Sequence, residues 1–365
     1  MRLLVLNAGS SSIKLRLLDA NDAITLSLDL GTEGLRKPGA LEQAVGESEI
    51  EVVGHRVVHG GGLFSAAKVI TDEVEQQIAS LEELAPLHQA ASLEGIRRAR
   101  RAFPDLPHVA CFDTAFHSGM PAAASTYAVP LKWRERFGVR RYGFHGLSHA
   151  YASRRSAEMV GRSLESLRVV TCHLGAGASL AAVAGGRSVD TTMGFTPLEG
   201  LVMATRSGSI DPSVPLWLQA HAGGLTRAEV QEALEHESGL AGLAGTVDMR
   251  EVLKRATNGE ADAGLARDVY LHALRAGIAR MAASMGGVDA VVFTGGVGEP
   301  SAEIRSLAAA GLEFLGIGLD DARNRRAAGD TDISAAGATV RTLVVQARED
   351  LQMAREIRRL LQERG

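Results

Sequence analysis

Short apolar runs punctuated by glycine and small polar residues recur along this chain, and they predict strands. Residues 3–6 are apolar, 7–12 read NAGSSS, and 13–17 alternate with a period of two. That is the pattern of a hairpin with a small-residue tip. Residues 169–173, a tip over 174–178, and residues 179–183 repeat the arrangement in the second half of the chain. Further buried strands are predicted at 50–53, 56–58, 108–112, 290–293 and 343–345. Elsewhere the apolar spacing is that of helices. Val74, Ile78, Leu81 and Leu84 form a stripe over 71–84, and a second helix over 90–101 carries a basic outer face expected to be solvated. Thr226 and Glu229 have capping-box spacing ahead of a helix to about residue 237. A long apolar helix is predicted over 264–285, stopped by Gly286-Gly287, and an amphipathic one over 349–362.

Between these elements lie segments whose glycines and prolines exclude regular structure. The longest, 191–212, reads TTMGFTPLEGLVMATRSGSIDP and predicts a shaped loop system. Residues 140–149, RRYGFHGLSH, are expected to be irregular, 86–88 to interrupt the helical pattern, and 238–245 to be a loop. Residues 294–300, TGGVGEP, form a glycine-rich loop between a strand and a helix, a context that favours a nucleotide.

Chemistry concentrates at these interruptions. Small-residue tips leave backbone N–H groups uncovered for phosphate oxygens. Arg206, flanked by Thr205 and Ser207, is a fork of donors suited to phosphate or carboxylate, although the loop taken alone favours a plain surface arginine. Arg56 stands in a strand otherwise made of valines, where a cation needs an anion to meet it. Asp113 follows the strand 108–112, either as a ligand at a strand's carboxyl end or as a helix N-cap. Asn7 ends the first strand as a ligand or a turn residue, and His88 alone reads as structural.

Composition narrows the class. A chain of 365 residues is long enough for two domains and a cleft, and 45% hydrophobic with 22% charged residues excludes disorder. With 39 basic against 43 acidic residues the net charge is -4, and no run of either sign suggests nucleic acid or a membrane surface. Two cysteines, Cys111 and Cys172, both in apolar runs, make no disulfide framework and fit a reducing cytosol. Neither a signal peptide nor a spanning segment is expected, so the protein is expected to be cytoplasmic.

The motifs NAGSSSIK, GHRVVHGG, APLH, FDTAFH, YGFHGLSH, CHLGAGAS, MGFTPLEG, TRSGSIDP, SGLAGLAG, VDMR, FTGGVGE and EDLQMAR cover nearly the whole chain. In that order they resemble the acetate/propionate kinase family. The resemblance implies an α/β fold: two ribonuclease-H-like, actin-like ββαβαβα domains of the sugar-kinase and heat-shock-chaperone superfamily, flanking a nucleotide cleft. The expected division is 1–115 plus 351–365 for the first domain and 116–350 for the second, with the nucleotide site and dimer interface in the second. The implied activity is reversible transfer of the ATP γ-phosphoryl group to acetate, in a homodimer requiring Mg2+ or Mn2+.

By the same resemblance Asn7, Asp113 and Glu349 hold the metal. Arg56, Asp113, His145 and Arg206 are catalytic, and Val58, Leu87, Phe144 and Pro197 form the pocket for the acyl methyl. His173, Leu174, Gly175, Ala176, Gly177, Asp248, Met249, Arg250, Gly296, Val297 and Gly298 match the ATP/ADP site. The family has asparagine where this chain has Ala176 and Pro300, and TNEE where it has Ala347-Arg348-Glu349-Asp350. Arg348 is therefore a candidate to replace lost phosphate donors. Alternatives are a propionate or other short-chain acyl kinase, a pyrophosphate-dependent variant, or a nucleotide-binding regulatory protein without turnover.

Overall fold

The computed structural model describes every residue except 9–11, 32–38, 47, 85, 222 and 364–365, and the backbone alone of 8, 12, 30, 31 and 86–88. The chain forms two compact units. The first comprises 1–119, 144–151 and 348–365, and the second 120–143 and 152–347. Each is built on one six-stranded mixed sheet.

In the first sheet β1 (Leu3–Ala8), β2 (Ser12–Leu18) and β3 (Ile24–Gly31) run as an antiparallel meander. β4 (Val52–Val57) adds parallel to β1 and β6 (His108–Phe112) parallel to β4, while the short β5 (Lys68–Val69) lies antiparallel on β6, giving the order β3-β2-β1-β4-β6-β5. The second sheet contains β7 (Arg168–Leu174), β8 (Ala178–Ala184), β9 (Arg187–Thr191), β10 (Ala290–Thr294), β11 (Thr331–Asp332) and β12 (Arg341–Val344). Its order, β11-β12-β10-β7-β8-β9, is the same permutation read from the other edge. The hairpin repeat seen in the sequence is thus the visible part of a repeated whole unit. These are two actin-like α/β domains.

Alternation along β4 decides what each of its faces meets. Val52 lies with Met353, Ala354 and Ile357 of the C-terminal helix Glu349–Gln362, in one core with Leu3, Val5, Val109 and Cys111. Val53 packs in a second core with Leu4, Leu6 and Leu15, and Val57 in a third with Phe64, Ile96 and Phe112. The C-terminal helix therefore covers the face of β4 that bears Arg56. In the second unit Tyr270, Leu274, Ile278 and Met281 are the buried stripe of the helix Ala261–Ser284. Cys111 and Cys172 are buried free thiols. Among the described residues no helix is long and apolar enough to cross a membrane.

Several expectations are corrected. Residues 86–88 do not interrupt a helix: Pro86 begins the helix Pro86–Ala102, where its missing N–H is no loss. Its basic face is not simply solvated, since Arg97 and Arg100 donate to Glu75, and Arg100 also to Asp72. The RRYGFHGLSH stretch turns helical at Gly146, within Gly146–Val160. Gly239–Ala244 and Gly295–Gly298 are short helices rather than loops. The capping box at Thr226 and Glu229 forms as expected.

Candidate functional site

The carboxyl ends of β1, β4 and β6 stand side by side in the first unit, and the residues at or just past those ends carry the polar chemistry. Register pairs Leu6 with His55 and Val57 with Phe112, which brings Asn7, Arg56 and Asp113 together at the sheet's end. Arg56 Nη1 donates to Asn7 Oδ1 at 3.1 Å, its Nε to Asp113 Oδ1 at 3.1 Å and its Nη2 to Asp113 Oδ2 at 2.6 Å. Glu349, the first residue of the C-terminal helix, places Oε2 3.8 Å from Arg56 Nε. Burial disfavours the Arg56 charge, but Asp113 and Glu349 outweigh it and its pKa is raised. Asp113 is 1% exposed and acts as the anion beside Arg56 rather than as an N-cap. Glu349 serves both the helix dipole and this cluster.

His145 belongs to the same unit. The Gly146 amide donates to the Asp113 carbonyl at 2.9 Å, and the His149 amide donates to the His145 carbonyl at 2.9 Å, making His145 the N-cap of the helix Gly146–Val160. His145 has φ +55°, a left-handed conformation uncommon outside glycine and one of two among the described non-glycine residues. An imidazole is thereby presented at a helix N-terminus, a natural place for anions. Phe144 is fully buried, its carbonyl 3.0 Å from His117 Nε2 and its ring edge-on to His59, the neighbour of the buried Val58. Leu87 lies in the helix Pro86–Ala102, with its side chain outside what is described.

In the second unit residues 192–212 contain no helix or strand. Arg206 is half-buried there, and its Nη1 donates to the Pro197 carbonyl at 3.1 Å. Among the described residues it makes no ion pair, and burial lowers its pKa against a weaker opposing pull from Glu235. A desolvated guanidinium without a paired carboxylate is a place for an anion to bind.

A cavity of about 940 Å³ opens elsewhere in that unit. Seven of the expected nucleotide residues line it: Gly175, Ala176, Asp248, Met249, Arg250, Gly296 and Val297. His173, Leu174, Gly177 and Gly298 do not; Leu174 is fully buried and Gly298 is buried in the short helix Gly295–Gly298. Asp248 caps the helix Met249–Thr257 by accepting from the Arg250 amide at 2.9 Å, and bonds from the Arg250 side chain lower its pKa. Sequence reading missed Lys254, Thr257 and Asn258, which also line the cavity. Their spacing from Arg250, four, seven and eight residues on, is a polar stripe on one helix face and was the available signal. It also missed the buried Arg305, which donates to the Gly298 carbonyl at 2.9 Å and, by Nε, to Asn324 Oδ1 at 2.7 Å. Arg348, the candidate replacement donor, is engaged by Asp350 through its Nε and Nη2.

Three comparisons bear on this arrangement. The profile of the acetokinase family matches residues 39–355. A protein of Nostoc sp. named acetate kinase is 50% identical over 315 residues, 86% of this chain and 77% of that one. Among solved structures, an acetate kinase from Porphyromonas gingivalis superposes with a TM-score of 0.90 at 35% identity, covering 99% of both chains. A propionate kinase from Francisella tularensis superposes with a TM-score of 0.89 at 35% identity, covering 97% of this chain and 98% of that one.

Proposed function

The chain belongs to the acetokinase family, and on that premise we propose that it is an acetate kinase, moving the γ-phosphoryl group of ATP to acetate and back. The observation that carries this reading is the cluster of Asn7, Arg56, Asp113 and Glu349 at the ends of three strands. An acetate oxygen forms a bond to the γ-phosphorus as the bond to the β–γ bridging oxygen breaks, and ADP leaves. Acetate arrives ionised, so no strong base is needed; what must be overcome is repulsion between two anions. Arg56, held in place by Asp113, and Arg206, without an ion pair among the described residues, neutralise that charge. His145 donates to the phosphoryl oxygens from its helix N-terminus. The family resemblance assigns Val58, Leu87, Phe144 and Pro197 to the methyl group.

Two carboxylates and an amide oxygen, from Asp113, Glu349 and Asn7, are a hard-oxygen set that fits a hydrated Mg2+ shared with substrate phosphates. When bound, the metal supplies charge neutralisation at the β- and γ-phosphates. The cavity of about 940 Å³ is roomy enough for an adenosine, which favours ATP over pyrophosphate. The reading extends to a homodimer in the cytoplasm.

Hydroxamate trapping of the acyl phosphate tests it, with acetate, propionate and butyrate each offered with ATP, GTP and pyrophosphate. We expect turnover with acetate and ATP, and a loss on the order of 10²-fold in Arg56→Ala and Arg206→Ala. No acyl phosphate with any pair would leave a nucleotide-binding protein without turnover. A preference for propionate is the second reading, favoured by the Francisella tularensis structure, since one methylene is worth only ~1–3 kcal/mol.

A further inference from the structure

In the second unit a partly buried polar network surrounds the chain on both sides of Pro197. Arg141, 7% exposed, donates through Nη2 to Glu199 Oε1 at 2.6 Å and through Nη1 to the carbonyls of Thr192 and Met193, both at 3.1 Å. Tyr127 Oη donates to the other Glu199 oxygen and accepts from the Phe195 amide at 3.0 Å. Its ring lies 5.3 Å from the Arg141 guanidinium carbon. The Gly194 carbonyl accepts from the amides of Tyr142 and Gly143 at 3.0 and 3.3 Å. A Cβ at Gly194 would stand 1.8 Å from Glu199 Oε2 and 2.1 Å from Tyr127 Oη, so any larger residue there would displace both groups.

The backbone groups immediately before Pro197 are thus fixed from outside the loop, and Glu199, two residues after it, is fixed by the same partners. Pro197 in turn holds Arg206 through its carbonyl. An Arg–Glu pair of which only the arginine is buried contributes little net stability. What such a satisfied network supplies is a single geometry. We propose that Tyr127, Arg141 and Glu199 are positioning residues that set the placement of Pro197 and the aim of Arg206, and with them the selectivity for acyl chain length. This inference rests on the reading above in which Pro197 bounds the methyl pocket and Arg206 meets the phosphoryl group.

The test measures kcat and KM for acetate, propionate and ATP in Tyr127→Phe and Glu199→Gln, with Pro197→Ala as the reference for the pocket itself. Tyr127→Phe keeps the ring beneath Arg141 and removes only the hydroxyl. Loosening the loop opens the pocket, so the propionate-to-acetate ratio of kcat/KM rises about fivefold, within the range one methylene can command. KM for acetate rises with it, and KM for ATP stays within about twofold. A purely structural defect would lower the active fraction, reducing kcat for both acids alike and leaving the ratio and KM unmoved. A ratio within about twofold of the parent, or lowered, in both variants overturns the proposal when Pro197→Ala raises it. If Pro197→Ala leaves it unmoved too, the pocket reading falls and this inference with it. Should Tyr127→Phe not fold, Glu199→Gln decides alone.

Discussion

At position 146 an added Cβ would come within 2.1 Å of the Asp113 carbonyl and 2.8 Å of the Phe116 Cβ, neither of which can yield cheaply. The amide of the same residue bonds that carbonyl, so one glycine ties the start of a helix to the strand end that supplies Asp113. Gly146→Ala is therefore expected to shift His145 and lower kcat on the order of 10²-fold, as small misplacements of catalytic groups do, while leaving thermal unfolding cooperative. Steady-state kinetics with a matched melting curve checks this; near-parent kcat would mean that His145 does not act where the geometry puts it. The motif YGFHGLSH made His145 legible as a candidate. Its left-handed backbone was not legible, because that strain is imposed by a contact 33 residues away along the chain and not by neighbours in sequence.

Among the elements, β4 shows how one strand can serve two purposes on its two faces. Arg56 emerges on the face beneath the C-terminal helix, while His55, 2% exposed, points to the other and lies 3.0 Å from His108 Nδ1. His108 Nε2 meets the Phe103 carbonyl at 3.0 Å, so it carries the proton, and His55 Nε2–H must donate to His108 Nδ1. Burial first, then His108 and Arg100, depress the His55 pKa to about 3; burial likewise lowers that of His108. The sign follows: below about pH 6.5 the unfolded chain binds protons that the folded pair refuses, so stability falls as pH falls, by roughly 1.4 kcal/mol per unit for His55 until pH nears 3, with a contribution of the same sign from His108. Urea unfolding at pH 7 and pH 5.5 should reveal this loss, and His55→Asn should reduce it. An unchanged pH dependence in that variant would show that the pair is not its source. A valine-rich strand was readable from sequence, but which of its neighbours would bear carboxylates was fixed only by the parallel register with β1 and β6.

On the scale of the whole molecule, the same strand permutation occurs twice, and each copy carries a different polar feature. The first gathers the charged cluster around Arg56, and the second bears the cavity lined by Gly175, Gly296 and the polar face of Met249–Thr257. Nucleotide binding to that cavity should stabilise the protein by about 2.7 kcal/mol at a hundredfold excess over Kd, read as a rise in melting temperature with ATP. Lys254→Ala should raise KM for ATP several-fold with KM for acetate unchanged; equal effects on both would remove Lys254 from the nucleotide site. The sequence by itself determined the strands and helices with clear periodicity, the repeated hairpin, the capping box, the C-terminal helix and the family, because periodicity and motif order are local properties. Tertiary structure alone decided that glycine-rich segments at 146, 239 and 295 wind into helices, that Leu174 and Gly298 are buried away from the cavity lining, and that Arg56 is ion-paired while Arg206, among the described residues, is not. Those outcomes depend on register, burial and partners drawn from distant parts of the chain, and no run of neighbouring residues encodes them.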